Sequence, residues 1–213
     1  MENKEIERVE NLERKMYMTK YCRINAYKRT KAWDSFLQAL LFFSNLLLIG
    51  ASISSIIFKI DILNILIVIF SVISFSTGLF IGIKNYAGQS LEYKRCYNEI
   101  EKLSCELKKE PKKIDEIEKQ FEEMISFSLN HDEQDNYRLK CEYYDDKYVM
   151  GEDLKNGKDF KYWKRKYSFS LAKDIVIKTI ISFGIYLVFL LLVSIVGCVG
   201  RCLIKIKNDK KEN

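Results

Sequence analysis

Residues 35–58 read SFLQALLFFSNLLLIGASISSIIF and residues 62–83 read ILNILIVIFSVISFSTGLFIGI, with only Lys59, Ile60 and Asp61 between them. The first block has 24 residues and the second 22, and both are free of charge. An α-helix rises about 1.5 Å per residue, so about 20 apolar residues cross a hydrocarbon core about 30 Å thick. The only polar interruptions are Ser, Thr, Asn and Gln, where a soluble core helix would show a polar face on every turn. A three-residue connection allows nothing but an antiparallel hairpin, so the pattern predicts two transmembrane helices joined by a tight tip.

A third uncharged block, Thr179 to Gly200, again has 22 residues and predicts a third, C-terminal span. The expected fold class is therefore all-α: an integral membrane protein with a two-helix hairpin, cytoplasmic helices and a C-terminal span. The implied segments are a basic amphipathic helix (1–34), the hairpin (35–83), a cytoplasmic helical region (84–178), the third span (179–200) and a basic tail (201–213).

Charge sets the expected orientation. Nine Lys and Arg precede Ser35, one sits in the tip and many follow Ile83. The positive-inside rule then places the N-terminus in the cytoplasm and the hairpin tip outside, in a multi-pass protein. A cytoplasmic middle segment would put the tail outside, although it carries five Lys or Arg against two acids, and the rule opposes that. Residues 1–34 contain no apolar h-region, so the first span is expected to serve as the insertion signal.

Ahead of the hairpin, Ile6, Val9, Leu12 and Met16 recur at helical spacing among charges. Arg23, Lys28, Arg29 and Lys31 lie closest to the span, either meeting anionic head groups or standing in solvent. Behind the hairpin, Tyr86 to Lys109 reads as a polar continuation of the second span, stopped by Pro111, the chain's only proline. Ile114, Ile117, Phe121, Met124 and Ile125 make an apolar stripe on the next helix, and a further helix is expected around Asp135 to Val149 before Gly151 and Gly157. This segment balances 20 basic against 20 acidic residues, which argues against direct nucleic-acid binding.

Nothing marks an enzyme. His131 is the only histidine, placed as if in a turn or helix start, so a histidine-based metal cluster cannot be built. The six cysteines form no C-x-x-C pair, and no phosphate-cradling or nucleophile-elbow motif occurs. The expectation is no catalytic residue, no metal and no cofactor.

The spans carry the more telling pattern. On the first helix Gln38, Asn45 and Ser52 are seven apart, flanked by Ser35 and Ser55. On the second, Asn64, Ser71, Gly78 and Asn85 are seven apart, and Ser74, Gly78 and Gly82 form a small-xxx-small series. Such residues let helices approach and hydrogen-bond across the contact. They either hold the hairpin together or face the interior of a homo-oligomer and line a water-filled path.

One stretch points to a family. Residues 13–29 read ERKMYMTKYCRINAYKR, followed by Trp33, a tight membrane hairpin and a long helix. Together they resemble the bacterial SLATT family, the SMODS and SLOG-associating two-transmembrane effectors, over Glu5 to Lys147. The segment from Asn130 to Tyr137 is similar to a short cytoplasmic motif of one branch. The resemblance makes Arg23, Asn25, Ala26, Arg29 and Trp33 family-typical positions at the membrane entrance. It implies an anti-phage effector that oligomerises, breaches the inner membrane and kills the infected cell, partnered by a nucleotide-signalling, SLOG or reverse-transcriptase protein. The alternatives are a non-conducting membrane adaptor that recruits a soluble sensor or enzyme, and an accessory transporter subunit.

Overall fold

The structure, a computed structural model, describes residues 2–59, 61–142 and 160–184, together with 187 and 194. All described secondary structure is helical. Helix α1 runs without a break over Glu2–Phe58, α2 over Asp61–Lys84, α3 over Tyr86–Lys109, α4 over Ile114–Phe127 and α5 over Glu133–Glu142. Residues 160–184 are also helical. Of the third predicted span, residues 179–184 are therefore helical and most of the remainder lies outside the described residues. The same holds for the end of the helix predicted to Val149, for Gly151 and Gly157, and for the basic tail.

The chain divides into two compact units. The first joins Met1–Asp34 with Asn85–Lys173, and the second joins Ser35–Lys84 with Asp174–Asn213.

In the first unit, Leu12 and Met16 of α1 pack with Cys96, Ile100 and Leu107 of α3 and with Ile114, Ile117 and Phe121 of α4. Cross-helix pairs fix the directions. Lys20 of α1 pairs with Glu101, Arg23 lies over Tyr93 and Trp33 stacks on Tyr86, so α1 and α3 are antiparallel. Arg8 pairs with Asp115 at 2.7 Å and Lys15 with Glu122 at 3.2 Å, so α1 and α4 run the same way. The ion pairs of Arg8 and Lys15 are solvent-screened and add little, so the buried apolar contacts dominate stability. Ile6, the first member of the predicted stripe, stays exposed.

The junction before α3 departs from the sequence reading. Asn85 does not continue the stripe of the second span. It breaks the helix, with φ 45° and ψ 48°, and its side chain accepts a hydrogen bond from the Gly88 amide at 3.1 Å. Asn tolerates the left-handed region better than most side chains, and its carboxamide satisfies one of the amides that a new helix leaves open. Glycine at 88 leaves room for this cap: an added Cβ would lie 2.4 Å from the Asn85 carboxamide, which would have to swing away and weaken the hydrogen bond. Pro111 opens a single 3₁₀ turn, Pro111–Lys113, that leads into α4, as its missing N–H allows.

In the second unit α1 and α2 form the hairpin, with Lys59 at φ 53° in the turn. Both helices are long and apolar enough to cross a membrane, and only 11% and 6% of their most apolar windows are buried. A core helix of a soluble protein would be mostly buried, so these two helices are candidate membrane spans. Lys178 lies over the Phe36 ring at 5.5 Å, and Ile180, Ile181 and Gly184 line an apolar cavity of about 360 Å³ with Leu48 of α1 and Phe70 of α2.

Candidate functional site

Helix α1 carries polar residues on two faces that meet different surroundings, one in each unit. In the first unit, Arg23, Asn25, Ala26 and Thr30 are all at least 98% buried. Arg23 and Arg29 therefore do not reach out to head groups or solvent as read from the sequence; only Lys28 and Lys31 of that set are exposed. The cause is a set of partners on the loop before α5 and in its first turn. Arg29 forks onto Asp135, Nε donating to Oδ1 at 3.2 Å and Nη2 to Oδ2 at 3.0 Å, and it also pairs with Asp132 at 2.7 Å. Asn25 Nδ2 donates to the Asp135 backbone carbonyl at 3.2 Å. A carboxylate that accepts a planar guanidinium at two points is both strongly held and strictly oriented.

Asp135 is itself 2% exposed, and it accepts from the Asp132 amide at 3.2 Å while its own amide donates to the Asp132 carbonyl at 3.0 Å. This reciprocal closure, similar to a capping box, starts α5. One carboxylate thus ends the loop, opens the helix and anchors α1. Burial works against the Arg29 charge, but the Asp135 and Asp132 carboxylates outweigh it and raise the arginine pKa further.

Arg23 is held differently. Its Nη2 donates to Ser128 Oγ at 3.1 Å and its guanidinium lies 5.8 Å from the centre of the Tyr93 ring. The Tyr93 hydroxyl donates to the Asn130 carbonyl at 2.7 Å, tying α3 to the same loop. His131 is pushed below its usual pKa, first by burial and then by the Arg23 charge. Cys22 is pushed up to about 12, chiefly by burial and then by Asp135, and Cys96 also rises on burial, so neither thiol is a ready nucleophile. Trp33 closes this face near the membrane, stacked on Tyr86 with centroids 6.5 Å apart.

In the second unit the predicted polar residues meet across the hairpin, but only in part. Ser74 Oγ donates to Asn45 Oδ1 at 2.7 Å, and Ser55 Oγ donates to Asn64 Oδ1. Asn45, Ser71, Ser74 and Gly78 line one cleft of about 460 Å³ with Leu41, Leu48, Phe75 and Leu79. Ser52 and Ser71 turn their hydroxyls to their own helices, onto the carbonyls of Leu48 at 2.8 Å and Ile67 at 2.7 Å. Gln38 and Gly82 are exposed and do not line the cleft. The glycines are not forced by close approach: a Cβ on Gly78 would meet only Leu41 at 3.8 Å, and one on Gly82 nothing within 4 Å.

The sequence places Asp132 and Asp135 only in a motif-like segment and at a helix start, and gives neither them nor Ser128 and Tyr93 as partners of α1. A signal for the inward turn existed. Stepping from Leu12 by half-heptads reaches Met16, Arg23, Ala26 and Thr30, so the apolar face of α1 continues through polar residues that fold inward.

Comparisons with curated proteins and with solved structures each give no match. A family model does match, over residues 5–196, and so reaches beyond Lys147 into the third uncharged block. With most of its 213 residues inside that match, and two candidate membrane spans behind the Arg-Ile-Asn-Ala element of which Arg23, Asn25 and Ala26 are buried, the chain belongs to the SMODS and SLOG-associating 2TM effector domain family 5.

Proposed function

We propose that this protein is the membrane effector of a bacterial conflict system, which oligomerises through its hairpin and permeabilises the inner membrane. The observation that carries the reading is the exposure of Asn45, Asn64 and Ser71 on membrane helices. Ser71 bonds its own helix, and Asn45 and Asn64 each engage only the oxygen, so their N–H donors face hydrocarbon at a cost that a second copy or a water-filled path would relieve. The low burial of both spans, 11% and 6% of their most apolar windows, leaves the surface for such an assembly.

The basic excess ahead of Ser35 supports a cytoplasmic N-terminus, and with it a cytoplasmic first unit. There the contacts of Arg23, Asn25 and Arg29 hold α1 to the 128–135 segment, and a nucleotide-signalling, SLOG or reverse-transcriptase partner acting on that segment would act on α1 itself. No residue is assigned a catalytic role. A non-conducting adaptor is the second reading, favoured by Phe127 and Phe169, which are 87% and 74% exposed on the first unit and are suited to docking a soluble protein.

Induced expression in bacteria loaded with a membrane-potential dye separates the two. The effector depolarises the cells, and Asn45→Leu, still membrane-inserted, does so at least about ten-fold less. Full retention of membrane potential at high expression of the natural chain, with a soluble protein co-purifying, would establish the adaptor instead.

A further inference from the structure

The amides of the hairpin are spent asymmetrically. Asn45 and Asn64 each accept a serine proton on Oδ1, from Ser74 and Ser55 respectively. Neither side chain donates a hydrogen bond to any described residue, and both are exposed. An asparagine offers one carbonyl oxygen and two N–H donors, so once the oxygen is engaged inside the hairpin the outward group is a donor pair. Asn64 lies level with Ser55, and Ser55 is ten residues from Asn45, so the two donor pairs stand roughly 15 Å apart along the membrane normal.

Cation-conducting paths present carbonyl oxygens or rings of Asp and Glu. This face presents neither. Residues 35–58 and 62–83 contain no carboxylate, and each of the two amide oxygens is turned toward the facing helix, where it accepts a serine proton. Ser71 and Ser52 have given their protons to backbone carbonyls and keep only hydroxyl lone pairs, which are weaker acceptors than an amide oxygen. At the tip the charge of Lys59 is offset by Asp61, so the mouth adds little preference of its own.

Resting on the pore reading above, we infer that the assembled hairpins conduct small inorganic anions in preference to alkali cations. The amide donors of Asn45 and Asn64 replace part of the anion's hydration shell at two successive levels. A cation at the same levels meets the positive ends of the same dipoles.

The test is the reversal potential of the purified full chain in a planar bilayer under an about ten-fold KCl gradient. The expected result is a reversal toward the chloride equilibrium potential, with roughly ten-fold preference for chloride over potassium. Asn64→Asp places a carboxylate at the level nearest the tip and shifts reversal toward potassium; Asn64→Ala, milder for folding, reduces the chloride preference without inverting it. Conductance with reversal at zero or toward potassium in the natural chain overturns the anion assignment and leaves the pore reading standing. Complete absence of conductance from inserted protein overturns both. An unchanged reversal potential in both Asn64 variants removes that residue from the path and sinks the inference.

Discussion

The segments Arg23–Thr30 and Gln38–Ser52 sit on one uninterrupted helix, and they treat polar side chains in opposite ways. In the first, Arg23, Asn25 and Thr30 are buried and Arg29 is largely covered; the 128–135 segment supplies partners to Asn25, Arg29 and Arg23 Nη2, the preceding turn of α1 serves Thr30, and Arg23 Nε and Nη1 are left without a hydrogen bond among the described residues. In the second, Asn45 engages only its oxygen and remains exposed. Where the surroundings are water, an inward polar residue must be matched within the fold, because burial removes its hydration. Where the surroundings are lipid, an outward polar residue has lost its hydration already, and its partner has to come from assembly or from admitted water. The first segment therefore specifies the folded chain, and the second specifies what the chain becomes with its neighbours.

The largest effect should come from cutting the inward network. Asp135→Ala removes both guanidinium bonds, the acceptor for the Asp132 amide and a buried charge. Loss of one partner of a buried pair costs about 3–5 kcal/mol, and because Asp132 still holds Arg29 the expected value is near the lower end, about 3 kcal/mol. Asn45→Leu, by contrast, loses one hairpin bond and should cost below about 1 kcal/mol. Thermal melts of both variants in the same detergent check this, and an equal loss would erase the contrast between the two segments.

That contrast was half visible in the sequence. The two spans were legible because 24 and 22 consecutive uncharged residues admit one physical reading, and the apolar stripes of Leu12 with Met16 and of Ile117 with Phe121 are buried as their spacing implies. Arg23 and Arg29 were misplaced because a charge beside a span is ordinarily solvated, and their partners lie more than 100 residues away, beyond any local pattern. Asn85 was misread as part of a stripe because sevenfold spacing ignores the backbone; the Asn85-x-x-Gly88 pair is the local signal for a helix start. The hairpin residues Asn45 and Asn64 were singled out correctly as polar positions, but which half of each amide stays outward depends on serines of the facing helix.

A smaller effect sharpens the inward side of the comparison. His131, the only histidine, has its folded pKa lowered by burial and by Arg23, while the unfolded chain titrates near the ordinary value of 6.5. Below 6.5 the unfolded chain binds the proton more readily, so this contribution to stability is complete above that pH and is lost as pH falls through the folded value. Melting temperatures between about pH 7.5 and about pH 5.5 should fall more steeply for the natural chain than for His131→Gln. Parallel curves would mean that the imidazole keeps its hydration and that the loop is more open than the buried network requires.

The smallest effect on the chain itself belongs to Gly82→Ala, and for that reason it discriminates best on the outward side. The added Cβ meets nothing within 4 Å, and glycine within a helix is less favourable than alanine by about 0.5–1 kcal/mol, so the hairpin alone should be unharmed or slightly firmer. If Gly82 also faces no neighbouring copy, cross-linking in membranes will give the same oligomer ladder as the natural chain. A ladder that shortens while the melt is unchanged would assign the glycine to contact between copies, since a methyl group that the single chain accommodates freely can obstruct only something outside it.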